Sequence, residues 1–323
     1  MTENTTGFIG LGVMGAPMCG HVHAKRADAG LGEVIAYDMH ARARERAAAA
    51  GIRVADTLAD LMQASDQVHV CLPGGPELEA LCRGGATPDA GASDGLLSLA
   101  RVGQLVIDHG TSPVDLTRAL ASNFAERGAA FCDAPITRTR AAAEAGTLVV
   151  LFGGASDALE RARPAIMTFA EQIVPCGAVG AGQVVKQMNN MVLIQTVVGI
   201  AEALATARAA GVDGDVLFSA LEAGSGDSFA LRHHGRKAML PGVFPERAFA
   251  TTYALKDLSY ALDLARSAGL DLAGAQTAKT LLEAAIDRGD GAKYWPVVYD
   301  AIAAAEGARS TASGSPDDTD PTP

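Results

Sequence analysis

The stretch Gly7-Phe8-Ile9-Gly10-Leu11-Gly12-Val13-Met14-Gly15-Ala16-Pro17-Met18 decides how the rest of the chain is read. Gly10, Gly12 and Gly15 stand at GxGxxG spacing, directly after a short apolar run and directly before a segment that reads as helix over 17–26. In a strand–turn–helix unit of this spacing the first glycine makes the tight turn. The second lets the backbone approach a pyrophosphate, and the third lets helix and strand pack closely. The helix N-terminus then faces the phosphates with unpaired N–H groups. Gly10, Leu11, Gly12, Val13, Met14 and Gly15 are therefore the candidate pyrophosphate-binding residues. A glycine pattern alone is weak evidence; its place between a strand and a helix, with a second strand following, gives it weight.

That second strand reads over 33–37 and ends in Asp38. An acid at this point accepts hydrogen bonds from the adenosine ribose hydroxyls and repels a 2′-phosphate, which favours NAD over NADP. A helix-capping Asp38 is the alternative. Arg42 and Arg44 follow closely and are able to serve a phosphate, so NADP stays open.

Working outward, apolar runs at 67–72, 105–108, 130–133, 149–152 and 173–175 alternate with helical patterns at 41–50, 57–64, 113–127 and 157–169. Such alternation is the pattern of β-α units on a parallel sheet. The fold class expected is α/β: an N-terminal Rossmann-type, doubly wound sheet over 1–176, then a C-terminal all-α domain over 177–308 for substrate binding and oligomerisation. Residues 182–210 are apolar nearly all round and free of proline, which predicts a buried central helix. Such a helix also points to a homodimer or homotetramer. The closing segment 309–323 is small, polar and acidic, and reads as a disordered tail.

Composition narrows the partners. The chain has 323 residues, 49% of them hydrophobic, and a formal net charge of −11. An acidic surface repels nucleic acid and anionic membranes. No uninterrupted apolar run reaches the roughly 18 residues of a membrane span, and the N-terminus lacks a secretory pattern. The five cysteines form no CxxC pair, which argues against a disulfide framework and for a reducing cytoplasm. The seven histidines join no cluster of metal-ligand spacing, so no metal is expected.

With these motifs in place, the chain resembles the β-hydroxyacid dehydrogenases, the group of 3-hydroxyisobutyrate dehydrogenase and tartronate semialdehyde reductase, which are also 6-phosphogluconate dehydrogenase-like. Four further matches carry the resemblance. They are Asp133-Ala134-Pro135 with Ala142 and Gly146; Gly180-x-Gly182-x-x-x-Lys186-x-x-x-Asn190; Phe249 through Lys256-Asp257-Leu258; and the loop Asp108-His109-Gly110-Thr111, where Pro113 arrives one residue early. The resemblance implies hydride transfer between NAD(P) and a small anionic hydroxy acid. It adds Leu72, Pro73, Thr111 and Lys256 to the cofactor contacts.

Lys186 and Asn190 are four apart and share a helix face. Carbonyl reduction leaves an alkoxide that needs a proton, and a partly dry lysine exchanges protons near neutrality. Lys186 and Asn190 are thus the candidate catalytic and substrate-binding pair, with a snorkelling lysine as the bland alternative. The chain departs from the family at Thr137-Arg138-Thr139, where Ser-Gly-Gly is usual. Thr137, Arg138 and Thr139 are the candidate substrate-binding turn, Arg138 being able to hold a carboxylate bidentately or to pair with an acid instead. Phe229 is a candidate pocket wall or a core residue. Two rival readings are a related imine reductase, against which Lys186 counts, and a nicotinamide-nucleotide-sensing protein without turnover.

Overall fold

The computed structural model describes residues 4–87, 91–246 and 248–304. The chain forms two compact units, Met1–Gln187 and Met188–Pro323. The division falls inside the long helix, later than the expected 176/177 boundary. The first turns of that helix are hydrogen-bonded to the strand ends of the sheet and so belong with it.

In the first unit the strands are β1 (Thr6–Ile9), β2 (Val34–Tyr37), β3 (Arg53–Val54), β4 (Gln67–Val70), β5 (Gly84–Thr87), β6 (Gly91–Asp94), β7 (Leu105–Asp108), β8 (Ala130–Asp133), β9 (Ile136–Thr137), β10 (Leu148–Gly153) and β11 (Ala170–Gly177). The helices between them are α1 (Gly15–Lys25), α2 (Ala41–Ala49), α3 (Leu58–Ala64), α4 (Gly75–Arg83), α5 (Leu96–Leu99), α6 (Val114–Glu126), α7 (Arg140–Ala145) and α8 (Ser156–Phe169). A nine-stranded sheet runs β3-β2-β1-β4-β7-β8-β10-β11, with β9 pairing β10. Pairing is parallel from β3 to β8, and β10 turns antiparallel to β8 while pairing parallel with β11. Residues of β1, β4 and β7 are buried on both faces, as in a parallel sheet covered by helices on each side, and the polar Gln67 and His69 of β4 are buried with the rest.

From β1 the chain winds outward to β2 and β3, then returns to place β4 on the opposite side of β1. Strand order reverses there, so the carboxyl ends of β1 and β4 open the crevice where ligands bind in doubly wound sheets. The expected doubly wound, Rossmann-type sheet is present.

Several elements were not expected from the sequence. β3 and β9 are two-residue strands that carry no periodicity and exist only through pairing with β2 and β10. The β5–β6 hairpin pairs only with itself. α4 begins within Gly74-Gly75-Pro76, which reads as a join, because a proline in the first turn is pre-set for a helix start. The run at 173–175 belongs to the longer β11.

The second unit contains most of α9 (Ala181–Ala209), then α10 (Gly214–Ala223), a π-helical stretch Leu231–Met239, α11 (Thr251–Ser267) and α12 (Ala273–Ala285). Its core gathers Trp295, Phe218, Leu231, Met239, Leu258 and Leu282, all fully buried. Among the described residues its β structure is limited to the isolated bridges Glu246–Lys293 and Ala250–Tyr294. The expected all-α domain is therefore present, while the tail expected over 309–323 lies outside the described residues. α9 is long and apolar enough to cross a membrane by length and composition. It is nevertheless a core helix: Ile194, Val197, Ala201 and Leu204 are buried in the helical core, and its first turns carry buried glutamines.

Candidate active site

At the end of β1, Gly10 takes φ +92°, and a Cβ there would lie 2.3 Å from Cys71 O. A Cβ on Gly15 would lie 1.9 Å from Gly10 O, so strand and helix meet only because both residues are glycines. A Cβ on Gly12 would meet nothing within 4 Å. No side chain caps α1; Ala16 N–H turns back to Gly12 O at 3.0 Å and Pro17 has no N–H, so an anion here would meet the N–H groups of the turn itself and the positive end of the helix. Close approach, open space at the middle glycine and an uncapped helix N-terminus together fit a dinucleotide pyrophosphate. Val13 is exposed here, whereas Leu11 is buried and its N–H donates to Asp38 Oδ2 at 2.7 Å.

Asp38 therefore sits at the end of β2, fastened to the glycine turn. Its Oδ1 also accepts from His40 N–H at 2.8 Å, so it steadies the entry to α2 as well. Arg44 donates to the carbonyls of Asp38 (2.6 Å) and Met39 (3.0 Å), with its guanidinium 5.8 Å from the Tyr37 ring centroid. These contacts turn Arg44 towards its own backbone.

The ends of β4 and β7 complete this edge. Leu72 lies beside Gly10, and its carbonyl lies beside Gly110; Pro73 follows it, exposed. Beyond β7, Asp108 accepts from Gly110 N–H at 2.8 Å and from Ser112 Oγ at 2.9 Å, closing a tight loop around Thr111. Beneath the loop, His109 Nδ1 meets Ala134 O at 2.9 Å, and His109 Nε2 meets His69 Nδ1 at 2.8 Å. The carbonyl can only accept, so His109 is protonated at Nδ1 and His69 donates to its Nε2. Burial holds the His109 pKa down to about 4 and that of His69 well below the usual value.

Asp133 ends β8 in register with Asp108. It accepts from Gly180 N–H at 2.6 Å and from Gln183 N–H at 2.8 Å, capping α9 from the sheet. A Cβ on Gly182 would lie 2.7 Å from Asp133 Oδ2, so the helix end approaches this closely only with glycine there. Burial pushes the Asp133 pKa up to about 6 against the opposing pull of these N–H donors. The Asp133-Ala134-Pro135 motif thus sends its acid to the Lys186 helix.

Lys186 is half-buried on α9 between two buried glutamines. Gln183 Oε1 accepts from Ser112 N–H at 3.0 Å, and its Nε2 donates to Gly110 O at 2.9 Å. Gln187 Nε2 donates to Ser112 O at 2.9 Å. The helix segment bearing Lys186 is thereby joined to the loop around Thr111, whose Gly110 adjoins Leu72 and, through it, the glycine turn. The signal for Gln183 and Gln187 was present in the sequence: residues 183, 186, 187 and 190 are polar at i, i+3, i+4, i+7, one face of a helix that is mostly apolar.

Arg138 goes elsewhere. It adopts φ +88°, the conformation a glycine would hold at this turn. Its guanidinium donates to Thr147 O at 2.7 Å and pairs with Glu171. Of the two roles open to it, pairing with an acid is the contact seen in the structure. Glu171 belongs to β11. Thr137 lies in β9 and Thr139 precedes α7, exposed.

In the second unit, Asn190 donates to Asp257 Oδ2 at 2.7 Å, and Lys256 Nζ lies 2.8 Å from Asp257 Oδ1. The Lys256 ammonium also stands 4.9 Å from the Tyr260 ring centroid and 5.9 Å from that of Tyr253. Phe229 is not core: it is 51% exposed and stacks on His233 at 4.1 Å.

A glycine turn fitted to a dinucleotide, beside a loop joined to a lysine-bearing helix, defines a nicotinamide-dependent oxidoreductase. The comparisons with known proteins agree. Residues 5–178 match the NAD binding domain of 6-phosphogluconate dehydrogenase, and residues 180–294 match the family described as NAD-binding of NADP-dependent 3-hydroxyisobutyrate dehydrogenase. An NAD-dependent L-serine dehydrogenase of Pseudomonas aeruginosa is 31% identical across 90% of this chain and 95% of its own length. Human mitochondrial 3-hydroxyisobutyrate dehydrogenase is 31% identical across 82% of this chain and 77% of its own. The structure of Mycobacterium tuberculosis 3-hydroxyisobutyrate dehydrogenase with L-serine superposes with a TM-score of 0.81 at 28% identity, covering 93% of this chain and 99% of that one. Imine reductases share the fold at 15–17% identity and TM-scores of 0.54–0.59. The chain belongs to the β-hydroxyacid dehydrogenase family and uses NAD(P).

Proposed function

We propose that the protein interconverts a small β-hydroxy acid and its carbonyl counterpart, with Lys186 carrying the proton. The observation that supports this is the attachment of the Lys186 segment of α9, through Gln183 and Gln187, to the Gly110–Ser112 loop beside the dinucleotide turn. The nicotinamide, when bound, supplies the hydride acceptor or donor. In the oxidative direction neutral Lys186 takes the hydroxyl proton as the carbinol C–H bond breaks; in reduction the ammonium returns it to the developing alkoxide. Relatives named for L-serine and 3-hydroxyisobutyrate support a short three-carbon acid backbone for the substrate. Lys186 counts against imine reduction, and steady-state NADH formation separates an enzyme from a nucleotide sensor.

The test is a hydroxy-acid screen with both cofactors, followed by Lys186→Ala. That change should lower kcat by about two to four orders of magnitude, the range for a positioned proton-transfer group, with dinucleotide affinity retained. Lys186→Arg should not rescue it, because guanidinium stays protonated. Near-normal kcat in Lys186→Ala overturns the assignment.

A homo-oligomer and a cytoplasmic location belong to the same reading. The exposed Val185 and Val192 on α9 support the first, and the five free cysteines support the second.

A further inference from the structure

Gln183 is fully buried, and both ends of its amide are used. The Oε1 accepts from Ser112 N–H at 3.0 Å, and the Nε2 donates to Gly110 O at 2.9 Å and towards Asp108 Oδ2 at 3.3 Å. One amide thus closes the Gly110–Ser112 loop from both sides. Turned the other way, it would set N–H against the Ser112 N–H and oxygen against the Gly110 carbonyl, so its orientation is unambiguous. Its own backbone N–H is held by Asp133 Oδ2 at 2.8 Å. Side chain and main chain of this one residue therefore join the ends of β7 and β8 to α9. Lys186 follows one turn later on the same face, with a rise of about 4.5 Å along the helix.

We propose that Gln183 is a positioning residue: it sets the height and rotation of α9 over the Gly110–Ser112 loop, and through them the place of the Lys186 ammonium. This rests on the reading of Lys186 as proton carrier. A buried amide that served folding alone would affect stability without regard to Lys186. A positioning amide must affect turnover, and must do so only when Lys186 is present.

The experiment uses the full chain and the best acid found in the screen. Gln183→Met keeps the volume but removes donor and acceptor together. It should lower kcat at least tenfold while the dinucleotide Kd, read by fluorescence, stays within about threefold. Combined with Lys186→Ala, it should lower the residual rate less than twofold, because the group it positions is gone. Gln183→Glu supplies a second reading. The ionised carboxylate faces Gly110 O and Asp108, whereas the neutral acid restores a donor in the place of Nε2. Its kcat relative to wild type should therefore rise at least fivefold from pH 8.5 to pH 6. The pH series also serves if the methionine variant does not fold. Equal losses from Gln183→Met with and without Lys186, or a Gln183→Glu ratio that is flat with pH, overturn the proposal. A Lys186→Ala enzyme of normal kcat overturns the underlying reading instead, and the two failures are told apart by that single variant.

Discussion

Asn190 donates its amide to Asp257 Oδ2 at 2.7 Å, with both side chains buried. Asn189 Nδ2 donates to Asn190 Oδ1 at 3.1 Å, and Lys256 Nζ stands 2.8 Å from Asp257 Oδ1. The Lys256-Asp257 pair therefore acts on α9 by fixing which way the Asn190 amide faces. Asp257→Leu removes the acceptor and leaves a buried N–H unpaired. It should cost about 1.5–3 kcal/mol of stability, the range for a hydrogen bond to a charged group, and lower kcat. Chemical denaturation and steady-state kinetics check it; unchanged stability and turnover would show the contact to be idle.

Cofactor choice is the second expectation. Asp38 is held by Leu11 N–H and His40 N–H as a fixed acceptor, while Arg44 is engaged by carbonyls. NAD should be preferred over NADP by tenfold or more in kcat/KM, about 1.4 kcal/mol. Asp38→Ser should narrow that ratio. A wild-type preference for NADP would refute the reading and shift attention to Arg42.

Arg138→Gly should be nearly silent. The φ of +88° strains a side-chain-bearing residue by about 1–3 kcal/mol, and glycine relieves it. What is lost is an ion pair with side chains 39% and 46% exposed, worth about 0–1 kcal/mol, and an exposed hydrogen bond to Thr147 O, worth about 1 kcal/mol. Relief of strain wins or balances, so Tm should hold or rise and the KM for the acid should stay within about twofold. A large rise in KM would return Arg138 to the substrate.

Acid sensitivity should trace partly to His234. Its Nδ1 meets Tyr294 OH at 2.6 Å, and burial lowers its pKa from 6.5 to about 4. The folded chain then binds fewer protons than the unfolded one between those values, so stability rises with pH across the window and is lost as pH falls from about 6.5 to about 4. The contribution is on the order of 3 kcal/mol, at 1.36 kcal/mol per unit. His234→Gln keeps a polar partner for Tyr294 and should lose less stability than wild type between pH 7 and pH 4. Parallel curves for the two proteins would contradict this origin.

The spacing of Gly10, Gly12 and Gly15 and the acid at Asp38 were legible in the sequence because each depends on neighbours within one β-α-β unit. The glycines must stand where strand becomes helix, and the acid must end the next strand. The Lys186 face was legible for the same reason, since helical period alone aligns 183, 186, 187 and 190. Long-range partners were not. Asp133 reaches α9 across 47 and 50 residues of chain, and Gln183 reaches the Gly110–Ser112 loop across 71 and 73. Nothing local says that a carboxylate at the end of a strand will cap a distant helix, or that an ordinary glutamine will close a loop. Arg138 shows the same limit most plainly. Its charge suggests a substrate carboxylate, whereas in the structure it pairs with Glu171 of β11, a strand that β9 itself does not pair with. Periodicity and turn chemistry act over a few residues, whereas the partner of a buried polar group is set by which strand ends the sheet brings side by side.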